Sequence, residues 1–182
     1  EGISWCWLAF GSEGRFEQTF STDQDNGIVF SAHEHARPDA VRARLLPFAS
    51  NVNQALHACG FPLCKGQVMA SNPKLCLSLE EWQVKMGGWL DSPQPKALLD
   101  ASIYFDFRPL WGDTTLAAAL RQWFLPRTRA NPGFLRFMAE NALQCKPPLG
   151  LLRDFDTEDA PNAPHSINLK LYGVRPFVDT AR

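Results

Sequence analysis

The sequence lacks the features by which several classes of protein are recognised. Its 18 basic and 19 acidic residues leave a formal net charge of −1, and the two kinds are interspersed along the chain. That balance gives no support for binding to duplex DNA, which a basic domain would favour, or to an anionic membrane. No run approaches the roughly 20 apolar residues of a membrane-spanning helix, and no signal peptide is recognisable. We therefore expect neither a nucleic-acid partner nor a membrane partner.

Cysteine and histidine are scarce, with 5 and 4 residues. No Cys-x-x-Cys pair is present, and the histidines do not lie at zinc-ligand spacing beside the cysteines. An odd number of cysteines in a chain of this size is typical of reduced thiols rather than of a disulfide framework. We therefore expect a cytoplasmic protein with reduced, partly buried thiols at Cys6, Cys59, Cys64, Cys76 and Cys145.

What the sequence does contain is enough apolar material for a real core. The 182 residues are 45% hydrophobic and 20% charged, which is the composition of an ordinary globular domain, with room for an appended lobe. Both ends run directly into apolar stretches, ISWCWLAF near the start and VRPFVDTAR at the close. We expect the chain to be a fragment of a longer protein.

The hydrophobic pattern changes character along the chain. The first half predicts strands at 3–10, 26–32 and 66–71, a short helix over 13–20 that Ser12 caps, and a long helix over 38–59. The second half predicts helices over 79–90, 96–107, 114–124 and 133–143, then a late strand in SINLKLYGV.

This order of elements predicts an α+β fold, a small mixed sheet flanked by helices with a helical lobe. We place the core in residues 1–93. Residues 94–182 form a mainly helical region, truncated at its C-terminus, whose late strand returns to the core sheet.

The most informative segment begins where the first strand ends, at Gly11 and Ser12. Glycine lets the backbone approach a ligand closely, and the start of a helix presents free N–H groups and a partial positive charge. Such a turn suits the terminal phosphates of a nucleotide. Arg15 follows one turn later and can add a charge-assisted contact to them.

Asp23 and Asp25 come eleven and thirteen residues after Ser12. Two residues that are two apart on an extended chain point to the same side, so both carboxylates project together. Paired oxygen ligands suit magnesium bound to a phosphate chain, as in a two-metal displacement with a pyrophosphate leaving group. Gln24 and Asn26 flank the pair, where we expect them to brace the loop.

In this segment the sequence also resembles a known family. GSEGRFEQTFSTDQDNG resembles the signature of nucleotidyltransferases related to the PII-protein uridylyltransferase, in the polymerase-β-like superfamily. It resembles most closely the uncharacterised branch found behind cyclic-nucleotide-binding and CBS regulatory domains. CGFPLCKGQVMASNP, YFDFRPLWGD and NLKLYGVRPFVDTAR extend that resemblance over nearly the whole chain.

The resemblance implies a polymerase-β-like core and a later region assigned to substrate binding. It implies Gly11 and Ser12 as nucleotide-binding residues, and Asp23 and Asp25 as both metal ligands and catalytic residues. It also implies Mg²⁺, or Mn²⁺, as cofactor, a nucleoside triphosphate as donor, and a hydroxyl of a protein or small molecule as acceptor. Regulatory domains in the full-length chain and a role in signal transduction follow from the same resemblance.

The third carboxylate of that superfamily has no clean counterpart. The GQVMAS stretch contains no acid, and the expected position in SINLKLYG is held by Asn168, which cannot act as a base at neutral pH. Asp106 is the best remaining candidate, and its alternative is a structural pair with Arg108. Lys170 is a candidate phosphate ligand, and its alternative is a solvated strand lysine.

Three functions remain open at this point. The first is transfer of a nucleoside monophosphate from a triphosphate to a hydroxyl. The second is a catalytically inactive module that senses nucleotide, favoured by the missing third acid. The third is an interaction module whose acidic loop is a remnant and which binds no nucleotide.

Overall fold

The computed structural model describes residues 2–19, 22–32, 37–91, 102–143, 148–149, 155, 157–160 and 163–181. The chain divides into two compact units, Glu1–Ala130 and Asn131–Arg182. In the part of the chain that is described, no helix is both long enough and apolar enough to cross a membrane.

The first unit is built on a four-stranded sheet. Its strands are β1 (Trp5–Phe10), β2 (Asn26–Phe30), β3 (Cys76–Ser78) and β4 (Phe107–Gly112). Their order across the sheet is β3-β2-β1-β4. β1 runs antiparallel to both of its neighbours, whereas β2 and β3 are parallel. The expected small mixed sheet is confirmed.

Four helices accompany the sheet: α1 (Gly11–Gly14), α2 (Pro38–Ala58), α3 (Leu79–Asp91) and α4 (Thr114–Arg129). In α2 the buried residues recur every four positions, at Val41, Leu45, Ala49 and Asn53, which makes one face apolar except for Asn53. That face packs on Ile28 and other sheet residues. The predicted α+β architecture, a sheet flanked by helices, is therefore observed.

Aromatic side chains fill the other side of the core. Phe10 and Trp82 are fully buried, and the ring of Tyr104 lies edge-on to both. The indole N–H of Trp82 donates to the carbonyl of Ile28 over 2.9 Å, so the buried polar atom of α3 is satisfied by β2. This packing holds the end of β1, where the candidate site begins.

Two predicted elements of the first half differ from the structure. The helix expected over 13–20 is a single turn that already begins at Gly11, so Ser12 lies inside the helix and does not cap it. The turn ends where Phe16 adopts φ 60°, because a left-handed residue cannot continue a right-handed helix. The third strand expected over 66–71 is a turn, and the strand that pairs with β2 lies later, at β3.

Among the described residues, the helix expected over 96–107 is found only at 102–104 and is wrong from 105 onward. Residues 92–101 lie outside the described part, 102–104 form one helical turn, and β4 begins at Phe107. Sequence reasoning missed this strand because it contains Pro109, and proline is uncommon within strands. A proline is tolerated here because β4 is at the edge of the sheet, where not every N–H is needed for pairing.

The second unit contains α5 (Pro132–Leu143), the antiparallel pair β5 (Glu158–Ala160) and β6 (Ala163–Ser166), and α6 (Arg175–Ala181). A π-helical turn, Lys170–Val174, leads into α6. The late strand expected in SINLKLYGV is therefore wrong from Ile167 onward, since only Ser166 lies in a strand. Asn168 starts the helical turn, because its side-chain oxygen accepts from the N–H of Leu171 over 3.0 Å.

The division of the chain into 1–93 and 94–182 stays a prediction. The sheet does take one strand, β4, from the later part of the chain.

Candidate functional site

The two halves of the predicted site meet where β1 ends and β2 begins. The N–H of Phe10 donates to the carbonyl of Asp25 over 2.9 Å, which fixes the acidic pair beside the first turn of α1. Gly11 has φ 54°, a conformation that glycine adopts without strain. A Cβ on Gly11 would lie 3.9 Å from Oδ2 of Asp25. The structure therefore brings Gly11, Ser12 and Asp25 together, as the spacing predicted.

A third side chain joins the acidic pair. Asp23, Asp25 and Cys64 each offer one ligand atom, and these three atoms lie within 4.8 Å of one another. Asp23 is exposed, Asp25 is half-buried and Cys64 is buried. Two carboxylates and a thiol are a donor set that can hold a divalent metal ion.

Sequence reasoning missed Cys64 because 39 residues and the long helix α2 separate it from Asp25. Two backbone hydrogen bonds bring the segments together: Gln24 N–H to Pro62 over 3.0 Å, and Asn26 N–H to Val68 over 3.0 Å. No spacing rule for metal ligands would have paired this cysteine with an aspartate that lies before a helix.

The Cys64 thiol is neutral in this surrounding. Burial raises its pKa to about 11, and a hydrogen bond to Asp25 and the negative charge of that carboxylate add to the shift. The thiol is thus a hydrogen-bond donor to Asp25 at neutral pH. A bound cation would favour the thiolate instead.

The side chains of Gln24, Asn26 and Asn53 form a buried hydrogen-bond network that supports the acidic loop, the segment that carries Asp23 and Asp25. Nδ2 of Asn53 donates to Oε1 of Gln24 over 2.7 Å and to Oδ1 of Asn26 over 3.1 Å. The Asn53 side-chain oxygen accepts from the N–H of Ser71 over 3.1 Å, and Nε2 of Gln24 donates to the carbonyl of Phe61 over 2.9 Å. The expectation that Gln24 and Asn26 brace the loop is confirmed.

Arg15 and Asp106 form an ion pair across the turn. Nη1 of Arg15 donates to Oδ2 of Asp106 over 2.5 Å, and Nη2 donates to Glu17 over 2.8 Å. The backbone carbonyl of Asp106 also accepts from the N–H of Gly11 over 2.9 Å. Asp106 therefore holds the turn through both its side chain and its backbone, and the pairing with Arg108 that the sequence suggested is replaced by one with Arg15.

Comparison with known families follows the same segments. Residues 1–96 match a family described as "Putative nucleotidyltransferase DUF294". Residues 132–182 match "Putative nucleotidyltransferase substrate binding domain". The chain belongs to the DUF294 nucleotidyltransferase family. No curated protein and no solved structure matches it.

In this DUF294 chain the first unit carries the candidate site. The match to the substrate-binding domain lies within the second unit. Lys170 belongs to that second unit and is exposed. Its role as a phosphate ligand stays a prediction, as do the nucleotide-binding roles of Ser12 and Arg15. The catalytic role of Asp106 also stays a prediction, because its carboxylate is engaged by Arg15.

A further carboxylate of this DUF294 chain lies close to the acidic pair. Glu13 is half-buried, and burial raises its pKa, with the positive charge of Arg108 opposing the shift and the negative charge of Asp25 adding to it. The Glu13 carboxylate therefore interacts electrostatically with Arg108 and with Asp25. Sequence reasoning treated Glu13 only as an acidic residue early in a helix, since nothing in its spacing distinguishes it.

Proposed function

We propose that the chain transfers a nucleoside monophosphate from a nucleoside triphosphate to a hydroxyl group of a protein or small molecule. In that reaction the acceptor oxygen forms a bond to the α-phosphorus, and the bond from that phosphorus to the bridging oxygen breaks. Pyrophosphate leaves with the bond's electron pair, and the hydroxyl proton passes to a base. Family membership supports nucleotidyl transfer in general.

The observation that carries the proposal is the cluster of Asp23, Asp25 and Cys64 beside the turn at Gly11. Two carboxylate oxygens on one side of a loop fit Mg²⁺, which takes further oxygens from phosphate and water. A bound divalent ion supplies positive charge that screens the triphosphate and polarises the α-phosphate. The thiol suits Mn²⁺ better than Mg²⁺, which makes Mn²⁺ the second candidate.

The chain's own groups have distinct tasks in this proposal. Asp23 and Asp25 hold the cation, and the backbone N–H groups of Ser12 and Glu13 in the first turn of α1 approach the β- and γ-phosphates. The N–H of Gly11 instead donates to the carbonyl of Asp106. Arg15 adds positive charge beside the phosphates. Asp106 is the predicted base, and Glu13 is a second carboxylate near Asp25.

The wider setting of the reaction is part of the same proposal. We place the chain in a cytoplasmic signalling protein with regulatory domains and uridylyltransferase-like chemistry, with the donor base left open. The family resemblance in YFDFRPLWGD and NLKLYGVRPFVDTAR supports this setting.

The alternative is a module that binds nucleotide and does not transfer it. It is favoured by one observation: Asp106, the predicted base, is held in an ion pair with Arg15. A nucleotide sensor needs the cation and phosphate contacts but no base.

The test is calorimetric titration of ATP, UTP, CTP and GTP analogues with and without Mg²⁺. It uses the chain, the Asp23→Asn/Asp25→Asn double variant, and Asp91→Asn as a control that removes an exposed carboxylate elsewhere. We expect Mg²⁺-dependent binding that only the double variant loses. A folded chain that binds no nucleotide would instead support the interaction-module reading.

A second measurement separates transfer from sensing. The chain is incubated with Mg²⁺, a triphosphate labelled at the α-phosphate, and candidate acceptor proteins. A covalent adduct that requires Asp23 and Asp25 supports transfer. Binding without any adduct supports the sensor.

A further inference from the structure

Phe16 is one of several exposed aromatic residues in this chain. Its side chain is 80% exposed, as those of Trp111 and Phe177 largely are, whereas Phe10 and Phe30 are buried in the core. It lies four residues after Ser12, directly beyond the turn that carries the candidate phosphate contacts. An isolated exposed aromatic needs no explanation by itself, but two further observations single out this one.

The backbone of Phe16 is in a conformation that costs free energy. Its φ of 60° lies in the left-handed region, which glycine adopts readily and a bulky residue rarely does. The surrounding bonds enforce it: Phe16 N–H donates to Glu13, and Glu17 N–H donates back to the carbonyl of Ser12 over 2.9 Å. Strained residues of this kind cluster at ligand sites. Phe16 thus has a strained backbone and adds no packing to the core. This combination suggests that its side chain contacts a ligand.

The second observation is the partner on one face of the ring. The guanidinium carbon of Arg108 lies 4.1 Å from the ring centroid of Phe16. Nε of Arg108 donates to the carbonyl of Glu13 over 2.9 Å, which fixes the guanidinium in place. The ring therefore has a cation of β4 over one face, and its 80% exposure leaves room for a ligand on the other.

The pair is also close to the candidate catalytic groups. Arg108 donates to the carbonyl of Glu13 in α1, and Gly11 at the start of the same turn lies beside Asp25. A nucleotide whose phosphates lie at the turn around Ser12 must place its base on a surface nearby. An aromatic ring backed by arginine is a surface on which every base can stack.

We propose that Phe16 is the stacking residue for the base of the bound nucleotide and that Arg108 positions its ring. This inference rests on the proposed function and names the base contact of the same site. Stacking without hydrogen bonds to the base edge predicts weak discrimination, with purines bound better than pyrimidines because their rings are larger.

The experiment measures binding of ATP, UTP and inorganic triphosphate in the presence of Mg²⁺. The variants are Phe16→Leu, which keeps apolar bulk and removes the ring, and Phe16→Tyr, which keeps the ring. Phe177→Leu is the matched control, since Phe177 is 78% exposed and lies in the second unit. We expect Phe16→Leu to weaken ATP binding about ten- to a hundredfold. Phe16→Tyr and Phe177→Leu retain it, and inorganic triphosphate binds all four proteins equally.

A stability measurement provides a second arm. Phe16→Gly relieves the left-handed strain, so we expect its Tm to rise while its affinity for ATP falls. A variant that is more stable and binds nucleotide less well shows that the ring is kept for the ligand and not for the fold. A fall in Tm would show that Phe16 is structural and would overturn the inference.

The outcomes separate this inference from the proposed function. If ATP and inorganic triphosphate bind with Mg²⁺ and Phe16→Leu changes neither, the base-stacking role is wrong and the proposed function stands. If Phe16→Leu changes only the labelling of an acceptor protein, the ring belongs to acceptor docking and the inference is wrong. If the folded chain binds neither compound, both fail together.

Discussion

The guanidinium of Arg15 donates to the carboxylate of Asp106 across 91 residues of sequence, at a distance of 2.5 Å. The same residue, Asp106, accepts from the N–H of Gly11 through its backbone carbonyl. Arg15 and Asp106 therefore lock the turn after β1 to the residue that precedes β4. The carboxylate that the sequence suggests as a third metal ligand positions the turn, and its removal has consequences that differ from those of removing a base.

Replacing Asp106 by Asn tests this positioning role. The change removes the more buried of the two carboxylates that pair with Arg15 and leaves only Glu17, so we expect the free energy of unfolding to fall by about 1–3 kcal/mol. Nucleotide affinity falls with it, because the turn loosens. Urea denaturation and calorimetry measure the two effects. In the control Asp39→Asn, which breaks an exposed pair with Arg42, the loss is at most about 1 kcal/mol. Unchanged stability and binding with transfer abolished would instead make Asp106 the base.

Asn53 should affect nucleotide binding indirectly, through its hydrogen bonds to Gln24 and Asn26 beside Asp25. The change Asn53→Ala removes the side-chain partner of the buried Oε1 of Gln24 and of the N–H of Ser71, at a cost of about 2–3 kcal/mol. We expect weaker Mg²⁺-dependent nucleotide binding as well, because the acidic loop loses its brace. Asn51→Ala changes the same residue type at an exposed position of the same helix and should leave both quantities unchanged. Equal effects of the two variants would contradict the bracing role.

Position 14 requires glycine because the backbone at Asp106 lies against it. A Cβ there would lie 2.3 Å from the backbone carbonyl oxygen of Asp106, which is closer than any real contact. Gly14→Ala must therefore push β4 away from the turn, and we expect a loss of both thermal stability and nucleotide binding. At Gly88, within α3, a Cβ meets nothing within 4 Å, so Gly88→Ala should stabilise the protein by about 0.4–1 kcal/mol. A rise in Tm for both variants would contradict the close approach.

The thiol of Cys64 should affect which metal ions bind at Asp23 and Asp25. A thiol beside two carboxylates adds a soft ligand, so Cd²⁺ should bind with an ultraviolet absorption band from sulfur-to-metal charge transfer. Cys64→Ser should abolish that band and leave Mg²⁺-dependent nucleotide binding nearly unchanged, because Mg²⁺ prefers oxygen. Cys59→Ser, which removes an exposed thiol, is the control that keeps the band. If the band follows Cys59 instead, the cluster does not include the thiol.

The buried thiols predict a loss of stability in alkali. Burial raises the pKa of Cys6 to about 11 and that of Cys76 to about 12, from 9.0, with a smaller contribution to Cys76 from Glu81 that Arg42 opposes. A raised pKa means that the stability contributed by the neutral thiol is complete below about pH 9. It is lost as the pH rises through 9 towards 11 and 12, because the unfolded chain releases its protons first.

Urea midpoints measured between about pH 8 and pH 11 check this expectation. The midpoint should fall with pH, and in Cys76→Ala the slope should be shallower even though the variant is less stable overall. An identical slope in both proteins would assign the loss to other groups. In the same range the exposed Cys59 should react with iodoacetamide well before the buried Cys6 and Cys76.

The sequence by itself determined the elements whose signals are local. The apolar period of α2, the turn at Gly11 and the Asp23–Asp25 pair follow from spacing between residues that are close in the chain, and each is found where it was expected. Local signals failed where a conformation depends on a distant partner. β4 contains Pro109 and is a strand because it pairs with β1, while the stretch after Asn168 alternates like a strand and folds as a helix.

Only the tertiary structure decided which side chains surround the acidic pair. Cys64 reaches Asp25 because the chain after α2 returns along the start of β2, and Arg108 reaches Phe16 because β4 pairs with β1. The physical reason is common to these cases: contacts between segments far apart in the chain are set by sheet pairing and core packing, and residue spacing carries no record of either.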